Sequence, residues 1–230
     1  MKIYAMSDLH GCYTEFDYAL SMVEPHLNKS DTKLILLGDY IHGPDSYAVL
    51  DRIITLQDKW GTEKVIALCG NHELMAMEGR WPIGQQRSYQ QEYYDDKDDD
   101  RYLNWMRHLP FYHVEGKTIF VHAGIDEEAE DMWEWGTDEY IFAWKFPAQT
   151  GHFYGDWKIV AGHVGTGEIS GDPYNHDIYF DGKSHYYIDG SVLRSGVIPV
   201  IMVDTDTNKY YRVENENSRW LILPYDEENG

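Results

Sequence analysis

The sequence predicts an α/β fold in which two mixed β-sheets lie between flanking helices. Five short β-rich runs, KIYAM, KLILL, KVIAL, TIFV and KIVA, each lead into a polar motif. Two segments between the first three runs carry apolar residues at helical spacing. Strands of antiparallel type follow toward the end of the chain.

In chain order, KIYAM leads to SDLHG at 7–11, and Phe16, Ala19, Leu20 and Val23 then predict a helix over 14–28. KLILL leads to LLGDY at 36–40. Leu50, Ile53, Ile54 and Trp60 predict a second helix over 46–60, with Ser46, after Pro44 and Asp45, as its cap. KVIAL runs into CGNHE at 69–73, TIFV into VHAG at 121–124 and KIVA into AGH at 161–163. No linker, repeat or composition shift divides the chain, so a single domain over 1–230 is expected.

The five motifs gather Asp8, His10, Asp39, Asn71, His122 and His163. Two carboxylates, three imidazoles and an amide suit Mn, Fe, Zn or Mg rather than soft metals. Six donors exceed what one tetrahedral ion needs, but suit two ions that share a carboxylate. Open α/β sheets collect ligands at the carboxyl ends of their strands, which is where these residues fall. Asp8 and His10 are two apart, so an extended backbone would point both to one side. Gly11, Gly38, Gly70, Gly124 and Gly162 adjoin the donors, where a missing Cβ permits close backbone approach.

These motifs resemble the calcineurin-like metallophosphoesterases, in the branch of bacterial serine/threonine protein phosphatases and dinucleoside tetraphosphatases. The resemblance runs from Met1 to about Val203. It takes in YLNWMRHLPFY before VHAG, and YYIDGS with VIPVIMVDTDT as closing strands. It implies a four-layer αββα sandwich and two divalent ions, with Mn²⁺ the first candidate. Asp8, His10 and Asp39 would hold one ion, with Asp39 bridging. Asn71, His122 and His163 would complete the other, and His72 would be the catalytic imidazole. Glu73 would support its neighbours or the helix start rather than ligate. Water acidified between the two ions would attack phosphorus in line.

One motif departs from the family. Its second motif usually reads Gly-Asp-x-x-Asp-Arg-Gly, whereas this chain has GDYIHGPDS. His42 stands where an Asp would orient the catalytic histidine, and the phosphate-gripping Arg is missing before Gly43. His42, Asp45 and Lys145 are therefore the candidate substrate-binding residues, with Arg80 and Arg87 as alternative cations.

Composition sets outer bounds. With 43% hydrophobic and 15% aromatic residues, the chain can bury a real core. A net charge of −21 disfavours nucleic-acid backbones and anionic membranes as partners. It would also repel a phosphate substrate unless bound cations reverse the sign locally. No apolar run approaches the ~20 residues of a membrane span. The opening MKIYAMSD already reads as strand and motif, so no signal peptide is expected. Cys12 and Cys69 are read as free thiols, packed or redox-sensitive, in a cytoplasmic protein. DDKDDDR at 95–101 reads as a solvated helix start or surface loop. Segments 79–105 and 164–187 are long enough to rim the site. His26, His108, His113, His152, His176 and His185 carry no motif and are treated as structural.

Three functions follow as expectations. The first is a serine/threonine protein phosphatase-like phosphomonoesterase. The second is a hydrolase of dinucleoside polyphosphates or other nucleotides. The third is a metal-binding interaction module with impaired catalysis.

Overall fold

A computed structural model describes residues 1–84 and 99–226. Arg87 and most of DDKDDDR lie outside the described residues. The elements begin with β1 (Lys2–Met6), α1 (Tyr13–Ser21), β2 (Thr32–Leu36), α2 (Ser46–Trp60), β3 (Val65–Ala67) and α3 (Asn71–Met77). Next come α4 (Asp99–Met106), β4 (Tyr112–Glu115), β5 (Thr118–Val121), α5 (Trp133–Gly136), α6 (Glu139–Trp144) and β6 (Lys158–Gly165). The chain continues through α7 (Thr166–Ser170), β7 (Tyr179–Phe180), β8 (His185–Asp189), α8 (Val192–Ser195), β9 (Ile201–Asp204), β10 (Lys209–Asn215) and β11 (Ser218–Leu221).

Two mixed sheets form, in the orders β11-β10-β9-β1-β2-β3 and β4-β5-β6-β8-β7. Alternation along the strands builds the layers. Ile3 and Ala5 of β1 face the second sheet, packing with Ile35, Phe120, Val160 and Ile188. Tyr4 and Met6 face the other way, onto Phe16 and Leu20 of α1 and Leu50 and Ile53 of α2. On the far side of the second sheet, Ile119, Val121 and Ile159 pack against Trp133 and Phe142 of the short helices α5 and α6. The order is therefore helix, sheet, sheet, helix, as the resemblance implied.

The second helix has the expected bounds, but the first ends early. It stops at Ser21, and a 3₁₀ turn with Pro25 in its first positions covers Glu24–His26. Proline lacks the N–H an α-helix would need there and clashes with the preceding turn. The expected cap also differs. Asp45 holds the N-cap position of α2 without a side-chain bond, while Ser46 Oγ bonds back to Gly43 O at 3.0 Å. No described helix is long and apolar enough to cross a membrane.

Candidate metal centre

The first two motif loops are laced together by backbone bonds just past the carboxyl ends of parallel strands β1 and β2. Asp8 N–H donates to Gly38 O at 3.2 Å, His10 N–H to Asp39 O at 2.9 Å and Gly11 N–H to Tyr40 O at 2.9 Å. The lacing holds Asp8, His10, Asp39 and His42 at φ of 54°, 41°, 57° and 68°. Non-glycine residues seldom adopt that region, and such strain persists only where the surroundings impose it. Asp8 and His10 therefore meet through left-handed turns rather than the extended backbone expected of them. Gly43 has to lack a side chain, because a Cβ would lie 1.4 Å from His10 O.

His163 reaches the site differently. The β6–β8 pairing shifts register between Ala161 and Gly165, and His163 sits inside this irregularity at φ 65°. AGH thus interrupts a strand instead of following one. A bulge re-aims a side chain that regular pleating would direct elsewhere.

Glu73 anchors the third motif. Its fully buried carboxylate accepts N–H bonds from Asp39 (2.8 Å), Tyr40 (2.9 Å) and Gly70 (3.0 Å). It fastens the start of α3 to the Asp39 loop. A Cβ on Gly70 would come within 2.3 Å of Asp39 Oδ1, so the approach needs glycine.

These loops bring all six expected donors together around Asp39. Its Oδ1 lies 3.4 Å from His122 Nε2, and its Oδ2 lies 3.9 Å from His10 Nε2 and 3.7 Å from His72 Nε2. Asp8 Oδ1 is 4.0 Å from His10 Nε2, while its Oδ2 accepts the His163 N–H at 3.0 Å. The Asn71 amide points inward, its NH₂ 3.1 and 3.2 Å from the Asp39 oxygens, 2.9 Å from His122 Nε2 and 3.2 Å from His163 Nδ1; a half-turn of the amide would present its oxygen to a cation. His122 Nδ1 bonds Leu37 O at 3.1 Å and His10 Nδ1 bonds Ile41 O at 3.3 Å. Those bonds leave the Nε2 lone pairs of both rings facing the site.

The donor set fits divalent cations. Two groups, His10–Asp39–His72 and Asp39–His122–His163, each hold their donor atoms within 4.8 Å of one another and share Asp39. Acceptor atoms crowded at such distances repel one another unless protons or cations lie between them. The charges respond accordingly. Burial opposes ionisation of Asp39, but His122, His72 and His10 outweigh it and hold the carboxyl below its usual range. Burial raises Asp8 to about 6, and burial with the Asp39 charge raises Glu73 to about 7. His122 reaches about 9 despite its burial, because Asp39, Asp8 and Glu73 surround it.

The altered second motif places His42 against His72, with Nδ1 to Nδ1 at 2.6 Å. The Trp81 ring covers His42 at 5.5 Å. Burial, then His72, lowers His42 to about 4, and burial lowers His72 as well. Asp45 is exposed at the start of α2, and the described partner of His72 is His42. Lys145 is likewise not placed as a phosphate grip. It ion-pairs with Glu127 and donates to Ile125 O at 2.6 Å. Arg80 ion-pairs with Glu78. Cys12 and Cys69 are free and buried, and burial raises both thiols, Cys12 to about 11. They are kept as thiols, which fits packing better than redox chemistry.

Two features escaped the sequence reading. Asp189 is buried beside Asp8, and burial with that charge raises it to about 7. Its Asp-Gly after an apolar strand repeats the pattern of the other motifs, so that signal was present. His185, treated as an unassigned histidine, joins a buried cluster. Its Nδ1 lies 3.1 Å from Asp181 Oδ2 and its Nε2 lies 3.4 Å from Glu127 Oε1. This cluster left no trace in the local sequence, whereas Trp81 lies in the 79–105 segment expected at the rim of the site.

A fold of two sheets between helices, with histidines and carboxylates converging past the strand ends, defines a metallophosphoesterase. The calcineurin-like phosphoesterase family model matches residues 1–202, and the chain belongs to that family. A protein of Nitrosospira multiformis named symmetrical bis(5'-nucleosyl)-tetraphosphatase is 36% identical over 129 residues, 54% of this chain and 44% of that protein. The chain thus spans less than half the length of this curated relative. The cold-active protein tyrosine phosphatase of a psychrophilic Shewanella matches 96% of this chain and 80% of its own, with a TM-score of 0.65 at 17% identity. A putative diadenosine tetraphosphatase matches 98% of this chain and 94% of its own, with a TM-score of 0.54 at 14% identity. Both structural likenesses are of fold alone.

Proposed function

We propose that this chain is a metal-dependent phosphoesterase acting on dinucleoside polyphosphates or related nucleotides, built as a single domain. The observation that carries the reading is the Asp39 carboxylate, with His10, His72 and His122 Nε2 all within 4 Å of its two oxygens. The tetraphosphatase name of a relative at 36% identity favours a nucleotide over a phosphoprotein. The protein-phosphatase likeness is one of fold only.

Asp8, His10 and Asp39 would hold one divalent ion, with Mn²⁺ the first candidate. Asn71, His122 and His163 would hold a second, together with Asp39. Such ions supply acidified water and offset charge on phosphoryl oxygens. The chain's own contribution to proton handling follows from His42. His42 Nδ1 lies 2.6 Å from His72 Nδ1, so the two nitrogens share one proton and His42 holds the His72 ring in place without a carboxylate. His72 Nε2 faces the Asp39 side, 3.7 Å from Oδ2, where it can hydrogen-bond a leaving oxygen.

The test is steady-state kinetics of Mn²⁺-loaded protein on diadenosine tetraphosphate and on a phosphoserine peptide. Higher kcat/KM is expected on the nucleotide. His72→Asn should lower kcat by roughly 10²–10⁴-fold with metal content unchanged. His42→Ala should lower it about 10- to 100-fold through misplacement of that ring. Comparable turnover of the peptide with none of the nucleotide would overturn the reading.

A further inference from the structure

The metal centre does not account for the cleft beside it. Between α3 and α6 lies a cleft of about 620 Å³, lined by Leu74, Glu78, Arg80, Asp138, Tyr140 and Trp144 among others. Tyr140 and Trp144 stack with ring centroids 6.3 Å apart and planes 12° from parallel. The Arg80 guanidinium lies 5.5 Å from the Trp144 ring, steadied by its pair with Glu78. Tyr140 is 68% exposed and Trp81 51%. Large aromatic faces grouped in water mark binding surfaces more often than packing.

The cleft is tied to the reacting centre at two points. Its α6 wall joins the His122 loop, because Ala123 N–H donates to Phe142 O at 2.8 Å. Trp81, next to Arg80, is the residue whose ring covers His42.

The chemistry of the lining selects an occupant. Flat aromatic faces beside a guanidinium favour a planar heteroaromatic ring by stacking and cation–π contact. The carboxylates of Glu78 and Asp138 disfavour phosphate in the cleft itself, so the phosphates of a bound nucleotide would stay with the metal donors. An alkyl ester such as phosphoserine would leave the rings bare. We propose that this cleft seats one base of a nucleotide substrate. The inference rests on the nucleotide reading given above and names the residues that would enforce it.

Two measurements on the full chain separate the two ideas. Saturation-transfer NMR with adenosine, with and without Mn²⁺, should show binding that Tyr140→Ala and Trp144→Leu each weaken. Kinetically, either change should lower the preference for diadenosine tetraphosphate over a phosphoserine peptide by about 5- to 150-fold, the usual effect of losing one base stack. Tyr140 is exposed, so its replacement leaves the fold intact. Nucleotide turnover with that preference and the adenosine signal unchanged in both variants would overturn the base site while sparing the phosphoesterase reading. Adenosine binding lost in the variants, in a protein that hydrolyses no nucleotide, would support the base site and sink the hydrolase reading. A lysine-rich phosphopeptide whose affinity falls in both variants while adenosine never binds would reassign the cleft to basic peptides.

Discussion

Replacing Glu73 by glutamine changes the interior of the site by one atom type and should have a measurable cost. Glu73 Oε2 accepts from Asp39 and Gly70 N–H, and Oε1 accepts from Tyr40 N–H. A glutamine keeps one oxygen for the first pair, but its NH₂ then faces the Tyr40 N–H, donor against donor. The loss is one bond to a charged acceptor plus an orphaned buried donor, about 2–3 kcal/mol. For a chain of this size that corresponds to a melting temperature lower by roughly 4–12 °C. Glu73→Ala strands all three donors and should cost at least twice as much, up to loss of folding. The Asp39 loop is fastened through these bonds, so Mn²⁺ affinity of the glutamine variant should also fall about 10- to 100-fold. Thermal unfolding of metal-free protein, with Mn²⁺ titration of both forms, reads the two effects. A melting point within ~1 °C of wild type and unchanged Mn²⁺ affinity would show that the carboxylate does not organise the site.

Other consequences can be checked separately. Asp39→Asn should lower Mn²⁺ content at both positions, whereas His10→Ala should spare the His122 side; metal analysis after reconstitution decides, and equal losses would refute a shared carboxylate. The metal-free protein should lose stability as pH rises from about 6.5 to 9. His122 is raised to about 9, so the stability it gives below its unfolded value near 6.5 disappears as it loses its proton; Glu73 and Asp189, raised to about 7, lose theirs earlier, between about pH 4 and 7. Mn²⁺ should flatten that decline by taking the proton's place, and a metal-free urea midpoint constant across the window would contradict the assignment. Lys145→Met should cost about 1–3 kcal/mol by leaving Glu127 with His185 as its remaining partner, with little change in KM for a small aryl phosphate; a large rise in KM would restore Lys145 as a phosphate grip.

Much of this molecule is written in short-range pattern. The five strand-and-motif units carried the two sheets, because alternation along each strand sets which face meets the other sheet and which meets helices. They carried the six metal donors too, since loops at the ends of neighbouring parallel strands have to converge. Helix α2 was legible to the residue because its apolar stripe faces one core without interruption. Other features depended on elements far apart in the chain. Asp8 and His10 are aimed by left-handed turns that exist only because the Asp39 loop lies alongside, and His163 by a register shift against β8. His42, next in line to Asp45, became the partner of His72 because α3 delivers that ring to it. Lys145 was a free cation in the sequence and is bound in the fold, since Glu127 lies within its reach. Periodicity and glycine placement state what a backbone does locally. The partner of a long polar side chain is chosen by the packing of separate elements, and that choice is made only in the tertiary structure.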